Sequence, residues 1–198
     1  MKSDQGPYTS LPANLPVPQD DGACRHLPGT EIPDMALLAT GGEWIRLAQR
    51  PGLVVVYTYP MTGRPGVALP DGWDQIPGAR GCTPEACSFR DHHAEVREFA
   101  AEVFGLSTQS TDYQREVHDR LHLPFPLLSD ETFAFTDALR LPTFVSNGVR
   151  LLKRLTLVLV GGRIQHVFYP IFPPDQHVHE VLRYLRDRRG GGSRSPKS

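Results

Sequence analysis

Alternation of apolar β-branched runs with helical stripes predicts an α/β fold for this 198-residue chain. Three observations carry the prediction. Residues 53–59 form a near-continuous apolar run, as expected of a central strand covered on both faces. Ala86, Phe89, His93, Val96, Phe99, Ala100 and Val103 recur at helical spacing through residues 84–103. Two further apolar runs, 155–160 and 164–169, flank Gly161 and Gly162, a tight-turn signal between paired strands.

The elements follow in order. Residues 1–28, rich in Pro, Asp, Gln and Gly without hydrophobic period, read as a flexible arm. Residues 35–38 and 44–47 around Gly41-Gly42 suggest a hairpin, and 53–59 the central strand. The 61–78 segment is a turn-rich inserted loop with one aromatic anchor, Trp73. The helix over 84–103 has Thr83 as its expected N-cap, Pro84 at its first position and Glu85 in its first turn. A strand follows at 103–107, a helix at 112–121 after Thr111, and a short helix at 133–139 after Ser129-Asp130. The 155–160 and 164–169 strands and a closing helix at 175–188 complete one domain, 29–188. Residues 189–198 read as a disordered basic tail.

Composition narrows the function. A formal net charge of -1 gives no footprint for nucleic acid. No apolar run approaches the ~20 residues of a spanning helix, and residues 1–7 lack a signal peptide's apolar stretch. The expectation is a soluble, cytoplasmic protein. Three cysteines cannot all pair within one chain, which argues against a secreted disulfide framework. Cys24, in the arm, reads as incidental.

The chemistry concentrates in Gly81-Cys82-Thr83-Pro84-Glu85-Ala86-Cys87-Ser88-Phe89-Arg90-Asp91. A thiol at a helix N-terminus faces unpaired backbone N–H groups and the positive end of the macrodipole. Both favour the thiolate, which is the nucleophile. The alternative is an inert buried thiol. Cys87 lies five residues on; if the stretch is helical, the two Cα atoms stand about 8 to 9 Å apart. A disulfide needs about 7 Å or less, so the pair could bond only if the first turns unwound. A packing role for Cys87 is the competing reading. Zinc is disfavoured, since no second cysteine pair exists to complete four ligands. His118 and His122, one helical turn apart, lack a nearby third ligand and read as solvated, as do His92, His93, His177 and His179.

That segment resembles the peroxiredoxins, of the atypical two-cysteine type related to bacterioferritin comigratory protein and peroxiredoxin Q. Residues 53–60 before it, and Phe104-Gly105-Leu106-Ser107-Thr108, Pro126-Leu127-Leu128-Ser129-Asp130 and residues 153–158 after it, extend the resemblance over roughly 30–188. It implies a thioredoxin-like fold with a mixed central sheet flanked by helices. It also implies a thiol peroxidase reducing hydrogen peroxide and organic hydroperoxides. Cys82 would be the peroxidatic cysteine, Cys87 the resolving one, and thioredoxin or a similar dithiol the reductant. No cofactor or metal is implied, and the protein would act as a monomer or homodimer. The family's arginine, which holds the thiolate and the peroxide, matches Arg154 in Lys153-Arg154-Leu155-Thr156-Leu157. Strand alternation places Arg154 with Thr156 and Val158, opposite Leu155, Leu157 and Leu159. An arginine snorkelling to water is the bland alternative.

One departure stands out. The family pattern of Pro, three residues, Thr or Ser, two residues and cysteine falls here on Gln75 and Ala79. Pro60 ends the central strand as the family proline does, but the 61–78 insertion then intervenes. The expectation is that this loop leaves and returns, with the Thr62 hydroxyl replacing the missing one; an ornamental loop is the alternative. A non-enzymatic redox sensor remains the competing function. A general thiol–disulfide oxidoreductase is disfavoured because Cys-x-x-Cys is absent.

Overall fold

The computed structural model describes Tyr8 and residues 10–191. Its centre is a seven-stranded mixed sheet. Strands β1 (Ala36–Ala39) and β2 (Trp44–Arg46) form the first hairpin, and β3 (Leu53–Thr58) is the central strand. Helices α1 (Cys82–Asp91) and α2 (His93–Arg97) lead to β4 (Ala101–Ser107). Helix α3 (Thr111–Leu121) leads to β5 (Leu127–Ser129), and α4 (Ala134–Leu139) follows. A small hairpin, β6 (Thr143–Ser146) and β7 (Val149–Leu152), precedes β8 (Leu155–Val160), β9 (Arg163–Phe168) and α5 (His177–Gly191). The order across the sheet is β2-β1-β5-β4-β3-β8-β9. Strands β3, β4 and β5 run parallel through helical crossovers; β8 pairs antiparallel with β3.

The sheet divides the core in two because successive side chains of a strand point to opposite faces. Val54, Val56, Leu155, Leu157 and Leu159 belong to one layer. Val55, Tyr57, Cys82, Phe89 and residues of α3 and α5 belong to the other. Cys24 and Leu27, from the stretch expected to be an arm, are buried in the first layer. Upstream of them, Asp21 accepts from Lys153 Nζ at 2.6 Å and from the Tyr169 hydroxyl at 2.8 Å. These bonds hold the Asp21 carboxyl down at about 2. Residues 1–7 and 9 of the expected arm, and 192–198 of the expected tail, lie outside the described residues; Arg189 continues α5.

Several boundaries differ from the sequence reading for local reasons. The helix expected over 84–103 is interrupted at His92 (φ -106°), whose Nδ1 lies 2.9 Å from the Ser88 carbonyl. It ends before Ala100, whose left-handed φ of 55° turns the chain into β4 two residues earlier than expected. Asp130 receives the Phe135 and Thr136 amides at 3.0 and 2.7 Å, so it caps α4 as an acidic side chain should. The β6–β7 hairpin, unforeseen, turns at Asn147-Gly148 with φ of 48° and 76°, the backbone a two-residue primed turn demands.

Two outcomes test these constraints. Gly162 has a φ of 75°, and a Cβ there would lie 2.6 Å from the Ala48 carbonyl oxygen; Gly148 has the same backbone but open space. Gly148→Ala should cost about 1–2 kcal/mol in chemical denaturation, the left-handed penalty alone, and Gly162→Ala clearly more. The Asp21 clip should act only where its carboxylate is ionised in both folded and unfolded chains. Its folded value lies below the ordinary 3.8, so its stabilisation is complete above about pH 4 and is lost as pH falls toward about 2. The melting-temperature gap between wild type and Asp21→Asn should close over that window.

Candidate active site

The site lies where β3 ends and β8 begins. The Thr58 hydroxyl donates to the Lys153 carbonyl at 2.8 Å and accepts from the Leu155 amide at 3.2 Å. This stitch fixes the backbone on both sides of Arg154. The Arg154 side chain is 1% exposed; it crosses to the start of α1, and does not snorkel to water.

Helix α1 begins two residues earlier than expected. Gly81, at a φ of 106°, makes the turn and Cys82 is the first helical residue. Thr83 is therefore inside the helix and makes no N-cap bond. Pro84 falls third, still within the first turn, where no backbone N–H is needed. The Glu85 amide donates to the Gly81 carbonyl at 3.0 Å and closes that turn.

Around the Cys82 sulfur the partners converge. Arg154 Nη2 donates to Sγ at 3.2 Å, and the thiol reaches the Ala79 carbonyl at 3.6 Å. The same Nη2 meets the carbonyls of Ala79 and Arg80 at 3.3 and 3.2 Å. Nη1 makes a buried ion pair with Glu85, which is fully buried. Cys82 and Glu85 stand three residues apart and share a helix face, so one guanidinium serves both. Sequence reasoning gave Glu85 only a first-turn electrostatic role; the i, i+3 spacing was the available signal for more.

The electrostatics correct a second expectation. The helix N-terminus alone suggested a thiolate near neutrality. Sγ is buried, with Cys82 only 3% exposed, and burial pushes its thiol above the ordinary range; Arg154 and the Met61 backbone N–H pull it down, while Glu85 pushes it up again. In this closed arrangement burial wins. Burial likewise raises Glu85 against the pull of Arg154 and His177. His177, itself buried, places Nε2 2.8 Å from Thr156 Oγ1 and Nδ1 3.4 Å from Glu180.

The insertion leaves beside the sulfur at Met61 and returns to it at Ala79, whose carbonyl lies 3.6 Å from Sγ. The Thr62 hydroxyl, however, donates to Gln109 Oε1 at 3.1 Å, and the Thr62 carbonyl accepts from Tyr113 at 3.1 Å. Thr62 thus pins the loop, and Met61, rather than the Thr62 hydroxyl, lines the pocket beside the sulfur. The returning end packs Trp73 and Ala79 against Leu151 and Phe144, so the loop has a small core of its own.

Cys87 lies in α1 at intermediate burial, and all three cysteines are free thiols. Burial raises the Cys87 thiol; Arg90 counters it. Cys24 sits in the other core layer, across the sheet, with its thiol pushed up to about 12 by burial. His122 has left the helix at a φ of 51°, apart from His118. Among the described residues no group of three His, Cys, Asp or Glu could hold a metal ion, and no helix is long and apolar enough to cross a membrane. Removing one partner of a buried ion pair costs about 3–5 kcal/mol. Glu85→Leu should lower the unfolding free energy by that much in denaturant titration; a loss near zero would show that Arg154 does not need its carboxylate.

Comparison with known proteins agrees with this geometry. The Redoxin family model matches residues 27–185. The chloroplastic peroxiredoxin Q of Oryza sativa subsp. japonica is 30% identical over 185 residues, covering 90% of this chain and 77% of that protein. Peroxiredoxin Bcp of Bacillus subtilis is 29% identical over 164 residues, covering 80% and 94%. The crystal structure of peroxidoxin BcpB from Mycobacterium tuberculosis matches with a TM-score of 0.66 at 27% identity, covering 86% of this chain and all of that one. With a cysteine opening α1 beneath a buried arginine, in a mixed sheet flanked by helices, the chain belongs to the Redoxin family as a peroxiredoxin of the Q/Bcp type.

Proposed function

We propose that the chain is a thiol peroxidase in which Cys82 reduces hydroperoxides. The observation that carries the reading is Arg154 Nη2, 3.2 Å from the Cys82 sulfur at the first residue of α1. O–O cleavage leaves negative charge on the departing oxygen, and fixed donors in a buried site stabilise such charge far better than water does. Arg154 and the N-terminus of α1 are those donors. The same groups hold the sulfur's charge once its proton is lost.

The step balances simply. Cys82 sulfur forms a bond to the terminal peroxide oxygen as the O–O bond breaks; sulfur is oxidised to sulfenic acid, and the departing oxygen takes a proton to leave as water or alcohol. Cys87 then attacks that sulfur, the S–S bond forms and water leaves. An external dithiol, thioredoxin or one like it, reduces the disulfide. Cys87 shares that helix, and bonding requires the first turns of α1 to unwind, since helical geometry holds the Cα atoms about 8 to 9 Å apart. A reducing compartment such as the cytoplasm suits three free thiols. The reading needs no metal or organic cofactor, and a monomer or homodimer suffices.

Cys82→Ser should abolish peroxide reduction in stopped-flow assay. Arg154→Leu should lower kcat/KM by about 10²–10³-fold, the cost of one such donor. Cys87→Ser should keep the first turnover but not recycle with dithiol, while Cys24→Ser should do both normally. A Cys82–Cys24 linkage in peroxide-treated protein, read by mass spectrometry, would overturn the assignment of Cys87.

A further inference from the structure

The pocket beside Cys82 has three sources of wall. The helix start contributes one, the insertion a second through Met61 and Trp73, and the N-terminal segment a third through Tyr8. The partly open pocket offers about 10 Å³, at the lower limit of what holds a single water-sized molecule, ~10–15 Å³.

Tyr8 is seated by its contacts with the insertion. Its hydroxyl donates to the Val67 carbonyl at 2.7 Å. Its ring lies against Gly63, where a Cβ would come within 2.8 Å of Tyr8 Cδ2. The Arg80 guanidinium carbon stands 5.4 Å from the ring centroid, within cation–π range. Three residues on, Leu11 lies over Gly81, where a Cβ would come within 2.8 Å of Leu11 Cδ2. Farther along, Pro18 lies over Gly78 and Asp21 is tied to Lys153 and Tyr169. The segment therefore follows the rim of the site from the insertion to the neighbour of Arg154, with one anchor after another.

We propose that Tyr8 and Leu11, seated on the insertion, form a selectivity wall that admits hydrogen peroxide to Cys82 and excludes bulky organic hydroperoxides. The proposal rests on the peroxidase reading above and names its substrate class. For attack, a peroxide oxygen must come within about 3–3.5 Å of the sulfur. Hydrogen peroxide, two oxygens and their protons, asks for little more room than the pocket offers. A tertiary aryl hydroperoxide must bring a branched carbon and a ring to the same place, where the Tyr8 ring already stands and Leu11 lies over Gly81 beside it. The insertion gains a role here as well. Val67 and Gly63 belong to it, so loop and arm make one device, the loop supplying the seat and the arm the barrier.

The test uses the full chain and two probes, hydrogen peroxide and cumene hydroperoxide. The ratio of kcat/KM for cumene hydroperoxide to that for hydrogen peroxide is compared between wild type and Tyr8→Ala/Leu11→Ala. It should rise about tenfold or more, the scale of steric discrimination in a fitted pocket. Alkylation of Cys82 by iodoacetamide, followed by peptide mass spectrometry with Cys87 as the internal reference, should accelerate in the same variant. An unchanged ratio overturns the wall, and so does unchanged alkylation. If neither form consumes peroxide yet alkylation accelerates, the wall stands as a barrier and the peroxidase reading falls.

Discussion

The buried guanidinium of Arg154 is the constraint around which the rest of the site is arranged. A charge taken out of water demands partners on every side. At Nη1 and Nη2 Arg154 finds them in the Glu85 carboxylate, in two carbonyls just past the insertion, and in the Cys82 sulfur, while its Nε stays buried without a partner. All of these partners come from one short stretch, 79–85, which must be folded to face Arg154 at the start of β8. The insertion must return with Ala79 and Arg80 presenting their carbonyls, α1 must begin with Glu85 turned inward, and β8 must start at a fixed height. Thr58 supplies that height by bonding across the ends of β3 and β8.

The same arrangement explains how a long loop can be inserted beside a demanding site. Both of its ends are pinned: Thr62 to Gln109 and Tyr113 at the outgoing end, Trp73 and Ala79 in a small core at the returning end. Met61, the first residue of the loop, then lines the pocket beside the sulfur. Burial raises the Cys82 thiol, and closeness of cover and readiness of the sulfur are thus opposed quantities here. Any motion of the N-terminal cover that admits water should favour the charged sulfur.

Much of this was legible in the residues. Alternation along 154–159 placed Arg154 on the face opposite Leu155, Leu157 and Leu159, and the two core layers divide those residues accordingly. The apolar run at 53–59 gave the central strand nearly to the residue. What escaped was set by contacts distant in sequence. Nothing local to Thr62 says that Gln109 will take its hydroxyl. Glu85 looked like ordinary first-turn chemistry because its partner lies 69 residues away. The thiolate expectation counted the helix end and omitted burial, a tertiary quantity. The Asn147-Gly148 turn was readable and was passed over, since its short strands carry exposed valines at 145 and 149 and little apolar alternation.

The position of Glu85 between Cys82 and Cys87 on one helix bears on the disulfide proposed between them. Drawing the two sulfurs together must unravel the very turn that aims this carboxylate, so the cradle comes apart as the bond forms. A disulfide-bearing molecule would lack an assembled anion site and would leave Arg154 seeking new company. Each catalytic round would then end with the centre taken down, and reduction would be a small act of refolding.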